Sequence, residues 1–235
     1  MSTGDTTNFL YPFIEGDGHD PDSLLVDLAS SAQSKVHESS ALQQSTLTEC
    51  AALIAGAGEK MAERFASGGR LYAFGNGGSS TDAATFAALF AQPITGRPLP
   101  AMNLAADQAV VTALGNDVGF ELVFSRQIIA HSSQKDIAIA MSTSGNSADL
   151  MTALGEAHRR GLLTIGFAGY EGGQMAASDE VDYCFVVHSQ SIHRIQESQA
   201  LLGYQLWSTV QRRLEQRHLE QARLEQGHLD QGVTA

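Results

Sequence analysis

A chain of 235 residues, 43% of them hydrophobic, can bury one large core, or one core with a helical appendage. Its formal net charge of -12 opposes non-specific binding to nucleic acid and to anionic membranes, because the long-range field repels both. No segment approaches 18 uninterrupted apolar residues and the first residues carry no basic cluster, so we expect a soluble, cytoplasmic protein without a membrane span.

The two cysteines, Cys50 and Cys184, form no CxxC motif and have no histidine pair near them in the sequence. Isolated cysteines of this kind usually behave as small buried apolar residues, and metal ligands come in clusters. We therefore predict that both thiols are free and structural, in a reducing compartment.

The segment before the first predicted strand divides into an extension and two helices. Residues 1–22 are polar apart from the apolar island Phe9–Ile14, which predicts either a disordered leader or, as we favour, an arm that docks on a neighbouring subunit. Residues 23–67 predict a helical hairpin, with Ser23 as the first cap and a second helix from about 46 to 66. The apolar stripe of the first helix consists of Leu24, Leu25, Leu28 and Ala32. Such a pair needs the sheet or a partner to cover it.

From residue 70 onward, strand and helix patterns alternate. The predicted strands lie near 70–75, 100–105, 136–141, 162–168 and 182–187, and the predicted helices near 80–91, 107–114, 120–132, 147–160 and 192–213. The runs at 137–141 and 162–167 are apolar throughout, which is typical of parallel strands that are covered on both faces. The fold class is therefore α/β, with a doubly wound, five-stranded parallel sheet.

Two polar turns follow two of these strands and indicate an anion site. The first is Gly75–Ser80, and the second is the hydroxyl-rich segment Ser142–Ser147, which opens a helix. Free N–H groups and hydroxyls at the positive end of a helix suit a phosphate dianion. A simple polar turn capped by Ser147 is the alternative for the second segment alone, but the presence of two such turns favours the phosphate site.

The end of the chain has a different character. Residues 213–232 repeat a five-residue pattern whose leucines are scattered around a helix and form no stripe. We therefore predict that 213–235 is a low-complexity, frayed appendage to the last helix.

Five ordered motifs give the sequence a family resemblance. They are Gly75–Ser79, Gly115–Asp117, Ser142–Ser147, Gly169–Met175 and Arg194–Glu197. In this order and spacing they resemble the sugar isomerase (SIS) domain family, and within it the sedoheptulose-7-phosphate (phosphoheptose) isomerases and the related replication-initiator-associating proteins. The resemblance covers roughly residues 24–212, with the SIS domain at 68–212. It implies a flavodoxin-like sheet and a homotetramer whose active sites lie between subunits.

The resemblance also assigns binding roles to particular residues. It implies that phosphate is contacted by Ser142, Thr143, Ser144 and Ser147. The turn after the first strand supplies Asn76, Gly77 and Ser79. The family's active-site aspartate after the second strand corresponds to Asp107, and a glutamine of the last helix corresponds to Gln196.

The catalytic residues of the family are largely absent. Interconversion of an aldose and a ketose phosphate needs a base, and an acid or a metal to stabilise the enediolate. In the phosphoheptose isomerases these roles belong to a His and a Glu four residues apart, and to a Gln and a His eight apart, a set that can bind zinc. The corresponding residues here are Thr85, Leu89, Gln196 and Tyr204. Only the glutamine is retained, so we expect neither a metal nor a cofactor.

Other ionisable residues are candidates for a rearranged acid/base set. His193 precedes the last motif, with a surface histidine as the alternative interpretation. Glu197 and Asp107 are candidate bases on the same footing. Asp82, one turn into the helix after the first polar turn, is better explained as a partner of the helix dipole.

Three functions remain open from the sequence. The one we favour is a protein that binds sedoheptulose 7-phosphate or a similar sugar phosphate, with its isomerase chemistry reduced or lost. A non-catalytic module of this kind could also act as a regulatory or scaffold tetramer with a protein partner. The second function is an active isomerase with a rearranged acid/base set, and the third is an unrelated phosphate or nucleotide binder with the same sheet. Direct nucleic-acid and membrane binding are not expected.

Overall fold

The computed structural model describes the backbone of residues 21–232 and the side chains of residues 24–224. The predicted docking segment Phe9–Ile14 lies outside the described residues. The chain forms two compact units, which divide after Ala41. Within the described part, no helix is both long and apolar enough to cross a membrane.

The sheet has five parallel strands, as predicted. The strands are β1 Leu71–Gly75, β2 Ala101–Asn103, β3 Ile137–Met141, β4 Leu163–Gly169 and β5 Tyr183–Val187. Their order across the sheet is β2-β1-β3-β4-β5, and each pair of neighbours is parallel. The order reverses between β1 and β3, which makes this a doubly wound sheet with its switch point at that pair.

Helices alternate with these strands. They are α1 Pro21–Glu49, α2 Ala51–Ala66, α3 Gly78–Ala91, α4 Gln108–Asp117, α5 Val123–His131, α6 Ala148–Arg159, α7 Gly173–Ala177 and α8 Ile192–Gly232, with a 3-10 turn at Phe120–Leu122. Two helices precede the sheet, as predicted, but the first continues to Glu49 and the break falls at Cys50 rather than near residue 46. The short helix α7 was not predicted, because its flanking glycines read as a loop.

Each face of the sheet has its own hydrophobic cluster. One contains Ile139 and Phe167 from the strands, with side chains of α2, α3 and α8. The other contains Phe74 and Ala140, with side chains of α5, α6 and α7. Because successive strand residues point to opposite faces, the central strands are apolar throughout. This explains the continuous apolar runs of the sequence.

The C-terminal segment is helical and begins with defined contacts. Arg213 and Arg217 both pair with Glu59 of α2, at 3.0 and 2.6 Å. Leu214 packs against the hydrophobic cluster that α2 and α8 share. The prediction of a frayed appendage from residue 213 is therefore wrong for these first five residues, because long-range ion pairs stabilise a segment that has no apolar stripe of its own.

Both cysteines are free thiols, as predicted. Cys50 is buried at the junction of α1 and α2, and Cys184 is half-buried on β5. Burial raises the pKa of the Cys50 thiol and raises that of Cys184 to about 12. A protonated thiol is a poor nucleophile, so both cysteines are structural.

Candidate functional site

The two polar turns lie side by side at the switch point of the sheet. Gly75, the last residue of β1, is paired with Met141, the last residue of β3. The turns follow directly, so both occupy the crevice at the carboxyl edge where the strand order reverses. Ligands of open α/β sheets bind at this place.

The hydroxyl turn, Ser142–Ser147, is folded around the Ser142 side chain. The Ser142 Oγ accepts hydrogen bonds from the backbone N–H groups of Ser144 and Gly145, at 3.2 and 3.0 Å. The Ser144 Oγ accepts a longer bond, 3.3 Å, from the N–H of Asn146. Ser147 is the N-cap residue of α6, but its side chain makes no capping hydrogen bond. The hydroxyl oxygens of Ser144 and Ser142 are 3.5 Å apart, and either could donate to the other in this long contact. The hydroxyls of Ser144 and Ser147 can therefore both donate to a ligand at this helix N-terminus.

A second loop, Gly169–Met175, packs against the hydroxyl turn and is hydrogen-bonded to it. The N–H of Gly169 donates to the carbonyl oxygen of Thr143 at 3.0 Å, and that of Met175 donates to the carbonyl of Gly145 at 3.0 Å. Gly145 itself has φ +67, and a Cβ there would collide with the carbonyl oxygen of Gly172. Two loops that are far apart in sequence thus form one rigid cradle.

The turn after β1 is fixed by a buried carboxylate. The Asn76 Nδ2 donates to both carboxylate oxygens of Asp149, at 3.0 and 2.9 Å, and Asp149 in the first turn of α6 is only 4% exposed. Since an ionised carboxylate only accepts hydrogen bonds, the Asn76 Oδ1 must point the other way. Gly77 is the N-cap of α3 with φ +55, and Ser79 is buried.

A second amide is held in the same manner on the last helix. The Gln196 Nε2 donates to the Asp82 Oδ2 at 2.6 Å, which links α8 to the first turns of α3. Asp82 therefore has a specific partner rather than only the helix dipole. The Gln196 side chain also lies against Gly78, where a Cβ would come within 2.8 Å of Nε2. Two amide oxygens, one from each pair, remain as acceptors for a polyhydroxylated ligand.

A small cavity of about 90 Å³ lies between α3 and α8 beside these groups. Thr85, Leu89 and Tyr204 all line it. These are three of the four positions that the sequence resemblance equates with acid/base and zinc residues. The fourth position, Gln196, does not line the cavity, but it is hydrogen-bonded to Asp82, which does.

This cavity does not fit a zinc site. Its donors are the Asp82 carboxylate and amide or hydroxyl oxygens, whereas zinc sites in proteins are built from several His, Cys or carboxylate ligands. Among the described residues, no group of three His, Cys, Asp or Glu side chains is placed to hold a metal ion.

The three predicted acid/base residues occupy exposed positions. Asp107 is the N-cap of α4, and its Oδ1 accepts from the N–H groups of Ala109 and Val110 at 3.0 and 3.2 Å. His193 and Glu197 lie in the first two turns of α8 and are exposed. None of the three lines the cavity. Two residues that support the site were missed by the sequence reasoning: Asp149, which binds Asn76, and Gln199, whose Nε2 donates to the Ser142 carbonyl at 2.7 Å. The hydrogen bond between Asp82 and Gln196 was missed as well.

Comparison with known proteins gives the family. The SIS domain profile matches residues 36–169. Phosphoheptose isomerase of Solidesulfovibrio magneticus is 38% identical over 183 residues, 77% of this chain and 88% of the relative. That of Aquifex aeolicus is 42% identical over 146 residues, 61% of this chain and 75% of the relative. The chain belongs to the phosphoheptose isomerase family of SIS domain proteins.

Structural comparison agrees with this assignment. The phosphoheptose isomerase of Neisseria gonorrhoeae superposes with a TM-score of 0.72 at 33% identity, over 78% of this chain and 98% of that one. A phosphoheptose isomerase of Francisella tularensis gives 0.73 at 28% identity, over the same shares. The resemblance inferred from the five motifs is confirmed, and so is the SIS fold.

Proposed function

We propose that this protein binds a sugar phosphate, sedoheptulose 7-phosphate or a close analogue, and that it isomerises this ligand weakly or not at all. The observation that carries the binding proposal is the hydroxyl turn before α6. The Ser147 side chain makes no capping hydrogen bond, and the Ser144 Oγ accepts from the Asn146 N–H and lies 3.5 Å from the Ser142 Oγ, so both hydroxyls can donate to an anion at the N-terminus of α6.

The sugar end of the ligand is accounted for by the two fixed amides. The oxygens of Asn76 and Gln196 are turned away from Asp149 and Asp82 and can accept from sugar hydroxyls. Both residues adjoin the turn that follows β1, next to the phosphate turn. The names of the relatives, phosphoheptose isomerases, agree with a ligand of this class.

The weak-catalysis proposal rests on the cavity between α3 and α8. An aldose-ketose isomerase must move a proton between neighbouring carbons, and a positioned general base contributes roughly 10²–10⁴-fold to such a step. Thr85, Leu89 and Tyr204 supply neither the imidazole nor the carboxylate that the family resemblance assigns to these positions, and the Gln196 amide is neutral. We expect turnover several orders of magnitude below that of a normal member of the family, without rescue by zinc.

One observation favours the alternative of a rearranged isomerase. Asp82 is a carboxylate that lines the cavity, so it is a stronger candidate base than His193, Glu197 or Asp107, which do not line it. Robust turnover that is lost in Asp82→Asn would establish this alternative. Loss in His193→Ala or Glu197→Gln would instead establish the base set expected from the sequence.

The decisive experiment combines calorimetry with an isomerase assay on the same preparation. We expect saturable binding of sedoheptulose 7-phosphate, together with turnover close to background with or without added zinc. Binding without turnover supports the proposal. Turnover at the level of the relatives contradicts the catalytic part, and absence of binding contradicts the whole.

We further propose a homo-oligomer, with a tetramer as the expected state. Helix α1 supports this, since several of its apolar side chains are exposed in the single chain: Leu25, Val26, Leu28 and Val36. A regulatory or scaffold role with a protein partner is the alternative use of such an assembly.

A further inference from the structure

One buried carboxylate joins the two halves of the proposed site. Asp149 lies in the first turn of α6, directly beyond Ser147 and Ala148 at the end of the hydroxyl turn. Both of its carboxylate oxygens accept from the Asn76 Nδ2, at 3.0 and 2.9 Å, and Asn76 directly follows β1. Asp149 therefore contacts the residue proposed to bind the sugar and places a charge at the helix terminus proposed to bind the phosphate.

The charge of Asp149 is not neutralised by a cation. Asp149 is only 4% exposed, and the ion pairs formed within residues 24–224 do not include it. The two polar turns, Gly75–Ser80 and Ser142–Ser147, contain no lysine or arginine. Salt screens a buried charge much less than an exposed one, so Asp149 opposes the binding of a phosphate dianion at the N-terminus of α6.

A carboxylate at this position has an effect that an amide would not have. An ionised carboxylate only accepts hydrogen bonds, so it admits one orientation of the Asn76 amide, with Nδ2 towards Asp149 and Oδ1 away from it. In Asp149→Asn the new amide both donates and accepts, and could bond to Asn76 in either orientation. Burial of the charge is unfavourable in itself, but it fixes the direction of the Asn76 oxygen.

The Asn76 oxygen has surface that a ligand can reach. Asn76 is half-buried, and its Oδ1 accepts no hydrogen bond within the described part of the chain. Among the described residues, the unpaired side-chain atoms with almost no accessible surface are Ser198 Oγ, Gln199 Oε1 and Trp207 Nε1. The Asn76 Oδ1 is not one of them, so a sugar hydroxyl can donate to it.

We propose that Asp149 is a positioning residue that makes this protein discriminate between a sugar phosphate and free phosphate. Its charge weakens the binding of any dianion at the hydroxyl turn. Its hydrogen bond to Asn76 restores affinity only for a ligand that carries a sugar hydroxyl beside the phosphate, so inorganic phosphate is repelled without compensation. This inference rests on the proposed function, since it places the phosphate at the hydroxyl turn and the sugar at Asn76.

Competition calorimetry with sedoheptulose 7-phosphate and inorganic phosphate tests the proposal. Asp149→Asn keeps the size of the side chain, removes its charge and frees the Asn76 amide to turn. We expect the affinity for inorganic phosphate to rise roughly two- to fivefold, because a like charge is removed. We expect the ratio of the sugar phosphate affinity to the phosphate affinity to fall roughly two- to tenfold, because an oriented acceptor is lost. A merely structural role of Asp149 would lower both affinities and leave their ratio unchanged.

Two further variants separate the charge from the orientation. Asp179→Asn removes an equal charge from an exposed position before β5, at the opposite edge of the sheet, and should change neither affinity. In Asn76→Ala the amide is absent, so the addition of Asp149→Asn should raise the affinity for phosphate without changing the ratio. Urea unfolding checks that each variant is folded.

The outcomes separate this inference from the proposed function. Tighter phosphate binding with a lower ratio in Asp149→Asn supports the inference. Equal losses for both ligands, equal gains, or no change overturn it and leave phosphosugar binding intact. The same rise in Asp179→Asn, or a fall in the ratio when Asn76 has already been replaced, also overturns it. Failure of the wild type to bind sedoheptulose 7-phosphate overturns the proposed function as well.

Discussion

At the scale of single residues, the site is defined by which polar groups are already bonded and which are not. The Ser142 hydroxyl oxygen accepts the bonds that shape the turn, while the hydroxyls of Ser144 and Ser147 can donate to a ligand. Asn76 and Gln196 are oriented by carboxylates. These residues therefore divide into a scaffold and a set of ligand contacts, although they look alike in the sequence.

Replacement of Ser144 by alanine should weaken phosphosugar binding. The substitution removes one donor to a charged phosphate, a hydrogen bond worth about 1.5–3 kcal/mol, so the affinity should fall roughly ten- to a hundredfold. Calorimetry with sedoheptulose 7-phosphate measures this. Ser45→Ala, whose hydroxyl only donates to the Leu42 carbonyl within α1, is the control and should bind as the wild type does. An unchanged affinity in Ser144→Ala would mean that the phosphate binds elsewhere.

Replacement of Gly145 in the hydroxyl turn by alanine should destabilise the protein more than the same replacement at Gly68, which also has a positive φ. Gly145→Ala introduces both a left-handed alanine and a collision with Gly172, whereas Gly68→Ala has φ +83 and nothing within 4 Å of the added Cβ. We expect Gly68→Ala to cost about 1–2 kcal/mol and Gly145→Ala about 3 kcal/mol or more, measured by urea unfolding. Similar losses in the two variants would show that the contact between the two loops is loose.

At the scale of elements, periodicity predicted most of the fold. The five strands follow from apolar runs and turn residues, because strands covered on both faces have no polar positions. The break at Cys50 and the short helix α7 were missed, since both depend on tertiary contacts or on glycines that favour loops locally. The pairs Asn76–Asp149 and Gln196–Asp82 join residues 73 and 114 positions apart. No local pattern reports such pairs.

The cavity between α3 and α8 could also be predicted only in part from the sequence. The sequence indicated that Thr85, Leu89 and Tyr204 replace ionisable residues, because their positions could be read from the motifs. It did not indicate that the replacements line one cavity, nor that Gln199, another lining residue, has a buried side-chain oxygen with no hydrogen-bond partner within the described residues. That arrangement depends on how α3 packs against α8.

Of the part of α8 that follows residue 212, only the first few residues should stabilise the protein. Truncation after residue 218 keeps Leu214 and the ion pairs of Arg213 and Arg217, whereas truncation after residue 212 removes them. The pairs are partly exposed, so we expect them and the leucine together to contribute about 1–3 kcal/mol. Thermal and urea unfolding of the two truncated chains measure the difference. Equal stability of both would support the appendage expected from the sequence.

At the scale of the whole molecule, the exposed surface of α1 predicts self-association. Leu25 and Leu28 are 63% and 57% exposed, and Val26 and Val36 are 66% exposed, in the single chain. Several exposed apolar side chains on one helix are a candidate interaction surface. The net charge of -12 argues against a strongly anionic partner, and a second copy would bury the apolar residues without requiring one.

We therefore expect light scattering at micromolar concentration to give a mass of two or four times 24.9 kDa. Leu25→Lys combined with Leu28→Lys should shift the mass towards the monomer, because burial of two lysines without partners is costly. Ser34→Lys, a change at an exposed polar position of the same helix, controls for added charge and should leave the assembly intact. A stable monomer near 25 kDa in the wild type would contradict the proposal. A site completed by a second subunit would also lose phosphosugar affinity in the lysine variant, so calorimetry on that variant tests whether assembly and binding are linked.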